Sequence, residues 1–134
     1  MKTLIKMAIE AREKSYCPYS GFAVGAALQT KEGKTYQGCN IENAAYTPTN
    51  CAERTAFFKA VSEGERDFAR IAIVGGQKDG VLELTSPCGV CLQVMQEFCD
   101  PDAFEVILAV SEEKYEILKL RQLLPYGFEL EKGM

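Results

Sequence analysis

Apolar and polar residues follow two different periods along this chain. Near the N-terminus the apolar residues recur every three or four positions, which predicts an amphipathic helix over residues 3–15. A Pro/Gly break at 17–21 is followed by two strand-like segments, FAVGAALQT at 22–30 and TYQGCNIEN at 35–43, joined by the turn KEGK. These segments predict a β-hairpin.

The rest of the chain interleaves helical and strand patterns. A second helix is predicted over residues 51–63, ending at Gly64. The segment RIAIVGG at 70–76, which is apolar after Arg70 and does not alternate, predicts a buried strand. The remaining predicted elements are a helix over 88–99, a strand over 104–110, its partner strand over 114–120 and a short helix over 121–124. Together they predict an α/β fold: a three-layer α/β/α sandwich with a mixed five-stranded sheet, in a single domain spanning 1–134.

Length, charge and composition are those of an ordinary globular protein. The chain has 134 residues, 47% of them hydrophobic and 25% charged, which is enough to bury a core. Its net charge is −4, and no run of lysine or arginine is long enough for a nucleic-acid footprint. No apolar stretch approaches the roughly 20 residues that span a bilayer, and the N-terminal pattern is not that of a signal peptide. We therefore expect a cytoplasmic protein without nucleic-acid or membrane partners.

The cysteine and histidine content restricts the chemistry further. The chain has six cysteines and no histidine. Disulfides are not expected in a reducing compartment in a chain that can build its own core, so clustered thiols favour a metal site or catalysis. The absence of histidine excludes Ser-His-Asp and Cys-His nucleophiles. Any transition-metal site must therefore use thiolates and carboxylates.

Three of the cysteines are predicted at helix N-termini. Cys88 and Cys91 form a C-x-x-C motif after a Ser-Pro helix-start signal, which puts both in the first turn of the third helix. Cys51 follows Asn50, a good N-cap, and is predicted in the first turn of the second helix. The partial positive charge of both helix ends favours thiolates. If the two ends meet, they offer three thiolates to one soft cation, usually Zn²⁺.

The number of ligands decides what such a zinc does. Cys99 lies about 12 Å along a helix from Cys91, too far to join, whereas the sequence excludes neither Cys17 nor Cys39. Three ligands leave an open position, the mark of a catalytic zinc that binds water and lowers its pKa. A fourth thiolate from Cys39 would instead make a structural zinc in a non-catalytic module.

Two charged residues beside Cys51 suit a catalytic site. Glu53 projects in another direction from the same turn, and a carboxylate beside a metal-bound water can accept and pass on its proton. Three thiolates around Zn²⁺ leave a net charge of −1. The guanidinium of Arg54, bonded to the sulfurs, would offset that charge.

These motifs resemble those of a known family. Cys-Ala-Glu at 51–53 and Pro-Cys-x-x-Cys at 87–91 are similar to the zinc nucleoside and nucleobase deaminase signature. Over nearly its whole length the chain resembles the small cytidine deaminase family, in the segments GFAVGAAL (21–28), GCNIENAAY (38–46), NCAERTA (50–56) and LLPYGF (123–128). The resemblance implies a cytidine deaminase fold, a homotetramer with sites near subunit interfaces, and one zinc per subunit. The implied activity is hydrolysis of cytidine or 2′-deoxycytidine to the uridine form and ammonia, in pyrimidine salvage.

The resemblance also implies a role for each matching residue. Its zinc ligands fall on Cys51, Cys88 and Cys91, and its catalytic glutamate on Glu53. The implied substrate-binding residues are Phe22 beside the pyrimidine, Asn40 and Glu42 at the ribose hydroxyls, the backbone of Ala52 at the base, and Phe128, inserted into a neighbouring subunit's site.

One departure and two other activities bear on this interpretation. Leu92 stands where many members of the family have arginine, so Arg54 is expected to offset the sulfur charge alone. A deaminase for a cytosine-bearing antibiotic such as blasticidin S shares the signature, but Asn40 and Glu42 suit ribose hydroxyls better. Polynucleotide editing is disfavoured by the acidic net charge and by Glu42, which lies where a 3′-phosphate would pass.

Overall fold

The computed structural model describes residues 1–132 of the chain. Four helices and five strands follow one another in the order that the hydrophobic pattern predicts. In chain order the elements are α1 (Lys2–Arg12), β1 (Phe22–Thr30), β2 (Thr35–Cys39), α2 (Ala52–Ser62), β3 (Phe68–Gln77), α3 (Gly89–Phe98), β4 (Glu105–Ala109), β5 (Tyr115–Lys119) and α4 (Leu120–Leu123). None of the helices within 1–132 is long and apolar enough to cross a membrane.

The five strands form one mixed sheet in the order β2-β1-β3-β4-β5. β1 pairs antiparallel with both β2 and β3, and β4 pairs antiparallel with β5. β3 and β4 are parallel because the chain crosses over between them through α3. The predicted mixed five-stranded sheet is therefore confirmed.

Alternate residues of the strands face two separate cores. Ala27, Ala72 and Ile107 pack with residues of α1 on one face of the sheet. On the other face, neighbours such as Leu28 and Ile71 join one apolar cluster with residues of α2, α3 and α4. Because side chains along a strand point alternately to opposite faces, β1, β3 and β4 each contribute to both cores. The sheet thus lies between two helical layers, which confirms the predicted three-layer arrangement.

Helix α2 lies against the edge of the sheet because β2 has no side chain at Gly38. A Cβ placed at Gly38 would come within 2.4 Å of the carbonyl oxygen of Ala52 and within 2.6 Å of the backbone nitrogen of Ala56. No substituted residue fits there without moving the helix. The glycine therefore sets the position of the N-terminus of α2.

Two predicted elements extend three or more residues beyond the C-terminal ends of the observed ones. The helix predicted over 3–15 ends at Arg12, because the next three backbone N–H groups bond to carbonyls three residues earlier and tighten the chain into turns. The strand predicted over 35–43 ends at Cys39. After it, the side chain of Asn40 takes the place of backbone in the ladder, accepting from Val24 N at 2.9 Å and donating to the carbonyl of Phe22 at 2.8 Å.

Candidate active site

The segment before α2 places Cys51 at the end of the helix. Asn50 and Ile41 exchange two backbone hydrogen bonds of 2.9 Å, so Asn50 is extended, and the helix begins at Ala52. Cys51, with φ −77° and ψ 156°, is the N-cap residue. The prediction that Asn50 is the N-cap and that Cys51 lies inside the first turn is therefore wrong by one position.

The third helix begins in the same manner. Cys88 is the N-cap of α3, with φ −74° and ψ 166°, and Cys91 lies inside the first turn. Cys88 is thus also one position earlier than predicted. The extended backbone of an N-cap turns its side chain to the helix end, where the free N–H groups and the partial positive charge lie.

The two helix ends bring the three predicted thiols together. The sulfur atoms of Cys51, Cys88 and Cys91 all lie within 4.8 Å of one another. The Sγ of Cys88 is 3.8 Å from that of Cys51 and 3.4 Å from that of Cys91. No fourth cysteine, aspartate or glutamate within 1–132 joins this cluster. Cys39 instead lines a separate cavity with Lys14 and Lys59.

The spacing of the sulfurs fits zinc. Tetrahedral coordination with Zn–S bonds of about 2.3 Å places neighbouring sulfurs about 3.8 Å apart. The observed distances of 3.8 and 3.4 Å need only a small adjustment to reach that geometry. Three thiolates also match the preference of Zn²⁺ for soft ligands. The cluster is therefore a site for one zinc ion, with a fourth position that no cysteine, aspartate or glutamate within 1–132 fills.

A partly buried cation touches the sulfur cluster. Arg54 donates from Nη2 to the Sγ of Cys51 at 3.3 Å. Its Nε is buried and has no hydrogen-bond partner within the described part of the chain. Leaving a guanidinium N–H unpaired is costly unless negative charge lies nearby, which the thiolates supply. Hydrogen bonds from Cys91, Arg54 and Cys88 lower the pKa of Cys51 against the opposing effect of burial.

Glu53 is a buried acid beside the thiols. The residue is 4% exposed, yet its side chain lines the same groove as Cys51 and Cys88. Burial raises its pKa to about 7, with a further contribution from the negative charge of Cys51, while Arg54 opposes the shift. A carboxyl group with a pKa near neutrality can both accept and donate a proton.

One groove of about 270 Å³ contains most of the predicted site. Phe22, Asn40, Glu42 and Ala52 line it together with Glu53 and two of the thiol residues. Its volume is near the lower end of the range for small-molecule sites. The strand β1, the segment after β2 and the N-termini of α2 and α3 thus supply one continuous surface.

Phe128, a predicted substrate-binding residue, and Leu92, which stands where many members of the family have arginine, both lie outside the groove. The ring of Phe128 is 64% exposed and does not line the groove. The side chain of Gln93 pairs with the Phe128 backbone, donating to its carbonyl at 2.7 Å and accepting from its N–H at 3.1 Å. Leu92 is buried in the core on the α2–α3 side of the sheet, so its side chain supports packing and does not reach the groove.

Several residues that line the groove were not predicted. They are Ser20, Val24, Thr49, Asn50, Thr85 and Ser86. Thr85 and Ser86 are separated from the C-x-x-C motif only by Pro87, and this closeness to the ligands in the sequence was the available signal. Ser20 lies in the turn before β1, and only its contacts in the folded chain indicate its importance.

Comparison with known proteins places the chain in a family. The sequence profile described as "Cytidine and deoxycytidylate deaminase zinc-binding region" matches residues 1–107. A cytidine deaminase from Sporosarcina psychrophila is 48% identical over 131 residues, covering 98% of this chain and 93% of the relative. A blasticidin-S deaminase from Bacillus cereus is 36% identical over 109 residues, covering 78% of this chain and 76% of the relative.

A solved structure agrees in fold and sequence. The 1.6 Å crystal structure of cytidine deaminase from Burkholderia pseudomallei superimposes with a TM-score of 0.84 and 48% identity, covering 94% of this chain and 97% of the other. The profile includes Cys51, Cys88 and Cys91, which the fold gathers into the metal site. The chain therefore belongs to the cytidine deaminase family.

Proposed function

We propose that the protein is a zinc-dependent hydrolase that converts cytidine and 2′-deoxycytidine, with water, to uridine and 2′-deoxyuridine plus ammonia. The observation that carries this proposal is the groove in which the three-thiol cluster, the buried acid Glu53 and the polar side chains of Asn40 and Glu42 meet. Those parts match the needs of the reaction: a metal, a proton carrier and partners for a sugar.

Cys51, Cys88 and Cys91 would hold one zinc ion per subunit. When bound, the zinc supplies a Lewis acid that lowers the pKa of water and so makes a nucleophile available at neutral pH. Arg54 offsets the net charge of −1 that three thiolates and Zn²⁺ carry together, through its bond to Cys51. Leu92 brings no positive charge, so this task falls to Arg54.

Glu53 moves the protons. Its carboxylate takes a proton from the attacking water and delivers it to N3 of the cytosine ring. Attack of the water oxygen forms a bond to C4, and Glu53 then moves the remaining proton of the new C4 hydroxyl to the amino nitrogen. That nitrogen leaves as ammonia when the C4–N bond breaks and the C4 carbonyl forms. The pKa of Glu53 near 7, raised by burial, suits a group that alternates between both protonation states at neutral pH.

The rest of the groove suits a nucleoside. Phe22 lies where it can pack on the pyrimidine, and the backbone of Ala52 at the start of α2 can bond the base. Asn40 uses its side chain to bond the backbone of β1, which orients the amide and leaves one N–H for a ribose hydroxyl. No lysine or arginine is among the residues that line the groove, which disfavours a phosphorylated substrate.

The assembly proposed is a homotetramer. Phe128, with Tyr126 96% exposed and Leu130 72% exposed, forms an apolar tail surface on one subunit that suits contact with another copy. Insertion of Phe128 into a neighbouring subunit's groove would explain why it lies outside its own. A cytoplasmic role in pyrimidine salvage accords with six free cysteines and a thiolate metal site.

Deamination of blasticidin S is the second candidate activity. The 36% identity to a blasticidin-S deaminase favours it. Against it, Glu42 is held ionised by hydrogen bonds from the Tyr19–Ser20 turn, which suits a donor such as a ribose hydroxyl. Cytidine is therefore the preferred substrate in this account.

Ammonia release by the purified protein tests the proposal, with cytidine, CMP and blasticidin S as parallel substrates. We expect turnover of cytidine and little of CMP. Turnover of blasticidin S alone would transfer the assignment to the antibiotic deaminase. Bound zinc without ammonia release from any of the three would contradict a deaminase and favour a structural zinc module.

A further inference from the structure

The carboxylate of Glu42 is held by a single turn of the chain. Its Oε1 accepts from the backbone N–H groups of Tyr19 at 2.9 Å and Ser20 at 3.2 Å. Its Oε2 accepts from the hydroxyl of Ser20. A second hydrogen bond orients the Ser20 hydroxyl: its Oγ accepts from the N–H of Phe22 at 3.0 Å. The Ser20 hydrogen is therefore free to point to Glu42.

These contacts leave Glu42 with little unused acceptor capacity. An ionised carboxylate offers about four acceptor positions, two on each oxygen. Both positions on Oε1 are taken by N–H groups, and one on Oε2 is taken by Ser20. The same hydrogen bonds, that of the Ser20 hydroxyl first, lower the pKa of Glu42, so the group stays ionised and acts only as an acceptor.

We infer that Ser20 is a positioning residue for sugar recognition: it orients Glu42 so that Oε2 presents one remaining acceptor to one ribose hydroxyl in the groove. Ser20, Phe22 and Glu42 all line that groove. The Ser20 hydroxyl thus connects the backbone N–H of Phe22, which would pack on the base, to the carboxylate of Glu42, which would bind the sugar. The inference rests on the proposed nucleoside substrate and adds how its sugar is selected.

Substitution of Ser20 combined with substitution of the sugar tests the inference. We expect Ser20→Ala to lower kcat/KM for cytidine about 10-fold, through KM, because a hydrogen bond to a charged group is lost. For 2′,3′-dideoxycytidine, which has neither ring hydroxyl, kcat/KM should change less than about 2-fold. If dideoxycytidine turns over too slowly, its inhibition constant against cytidine gives the same comparison.

Three variants separate this role from a general structural one. Ser20→Thr keeps the hydroxyl at an exposed position and should restore cytidine kinetics. In a Glu42→Ala background, Ser20→Ala should have no additional effect. Ser62→Ala, which removes an exposed hydroxyl bonded to Lys59 on α2, should leave both substrates unaffected.

Two results would overturn the inference. An equal loss for cytidine and dideoxycytidine would mean that Ser20 acts through the backbone of Phe22, which both substrates share. An unchanged KM for cytidine in Ser20→Ala would mean that the backbone N–H groups orient Glu42 without it. By contrast, a wild-type protein that leaves cytidine unchanged would contradict the proposed function itself.

Discussion

Arg54 contacts Cys51 through a hydrogen bond of 3.3 Å from Nη2 to Sγ, across the first turn of α2. The cation thus lies against one of the metal-site sulfurs and is carried by the same helix. Because both residues belong to one helix end, their relative position depends on local helix geometry more than on the rest of the fold. One ligand of the metal site and its counter-charge are therefore positioned together by α2.

Removing this guanidinium should slow catalysis more than it weakens metal binding. We expect Arg54→Ala to lower kcat about 10- to 100-fold, since hydrogen bonds to charged groups contribute about 1.5–3 kcal/mol. Arg54→Lys keeps the positive charge but lacks the planar guanidinium, so its kcat should lie between those of the wild type and Arg54→Ala. Steady-state kinetics, together with the zinc content per chain, measures both effects. Arg66→Ala is the matched control, because Arg66 is exposed and its guanidinium bonds only backbone carbonyls within the described chain. Unchanged kcat in Arg54→Ala would contradict charge compensation.

Glu53→Gln should abolish turnover while the protein keeps its zinc. The amide has nearly the shape of the acid but cannot transfer the proton, and such groups contribute about 10²- to 10⁴-fold to rate. Kinetics on cytidine with metal analysis of the same sample measures both effects. Glu63→Gln, at the exposed end of the same helix, should be as active as wild type. An active, zinc-loaded Glu53→Gln protein would exclude the proton-carrier role.

Gly38→Ala should destabilise the fold and disturb the site together. The new methyl group would meet backbone atoms of α2 at 2.4 and 2.6 Å, so the helix must move and Cys51 with it. Overpacking of this kind costs about 1–3 kcal/mol. We expect a lower Tm and weaker zinc retention. Gly89→Ala is the control, because nothing lies within 4 Å of its added Cβ and helices favour alanine. Equal Tm values for the two variants would contradict the packing argument.

Thiol labelling should separate the metal ligands from the other cysteines. With zinc bound, Cys51, Cys88 and Cys91 should resist iodoacetamide, and after chelation the exposed Cys88 should react first. Cys99 should stay unlabelled at pH 8 in both states. Burial raises its pKa, so its neutral form predominates until the pH passes that raised value.

Peptide mass spectrometry measures this labelling, and the protein in guanidinium chloride, where all six cysteines should react, is the control. Labelling of Cys88 at the same rate with and without zinc would contradict its role as a ligand.

Much of the fold was predictable because local pattern and packing agree. The apolar run at 70–76 lies in a central strand buried on both faces, and that environment selects such a run. The end of β2 was not predictable. The side chain of Asn40 makes hydrogen bonds to β1 where a backbone group would otherwise pair, and these bonds depend on where β1 lies. The pattern of TYQGCNIEN alone does not reveal these hydrogen bonds, and it therefore predicts a longer strand than the observed Thr35–Cys39.

The site, like the fold, was predictable only in part from the sequence. Cysteine at two helix starts predicts a shared metal from local signals, and the fold brings the thiols within 4.8 Å. The N-cap of α2 differs from the prediction by one residue, because Asn50 forms a bridge with Ile41 that no local rule contains. Ser20 was missed for a related reason: its link to Glu42 joins residues 22 positions apart in the chain.

Cytidine turnover before and after zinc removal tests whether the activity depends on the metal held by the three thiols. We predict one zinc per chain in the active protein, loss of uridine formation when a chelator removes the metal, and recovery when one equivalent of Zn²⁺ is restored. Circular dichroism of the chelated sample shows whether the fold survives metal removal. Uridine formation that continues at full rate in protein shown to be free of metal would contradict the account.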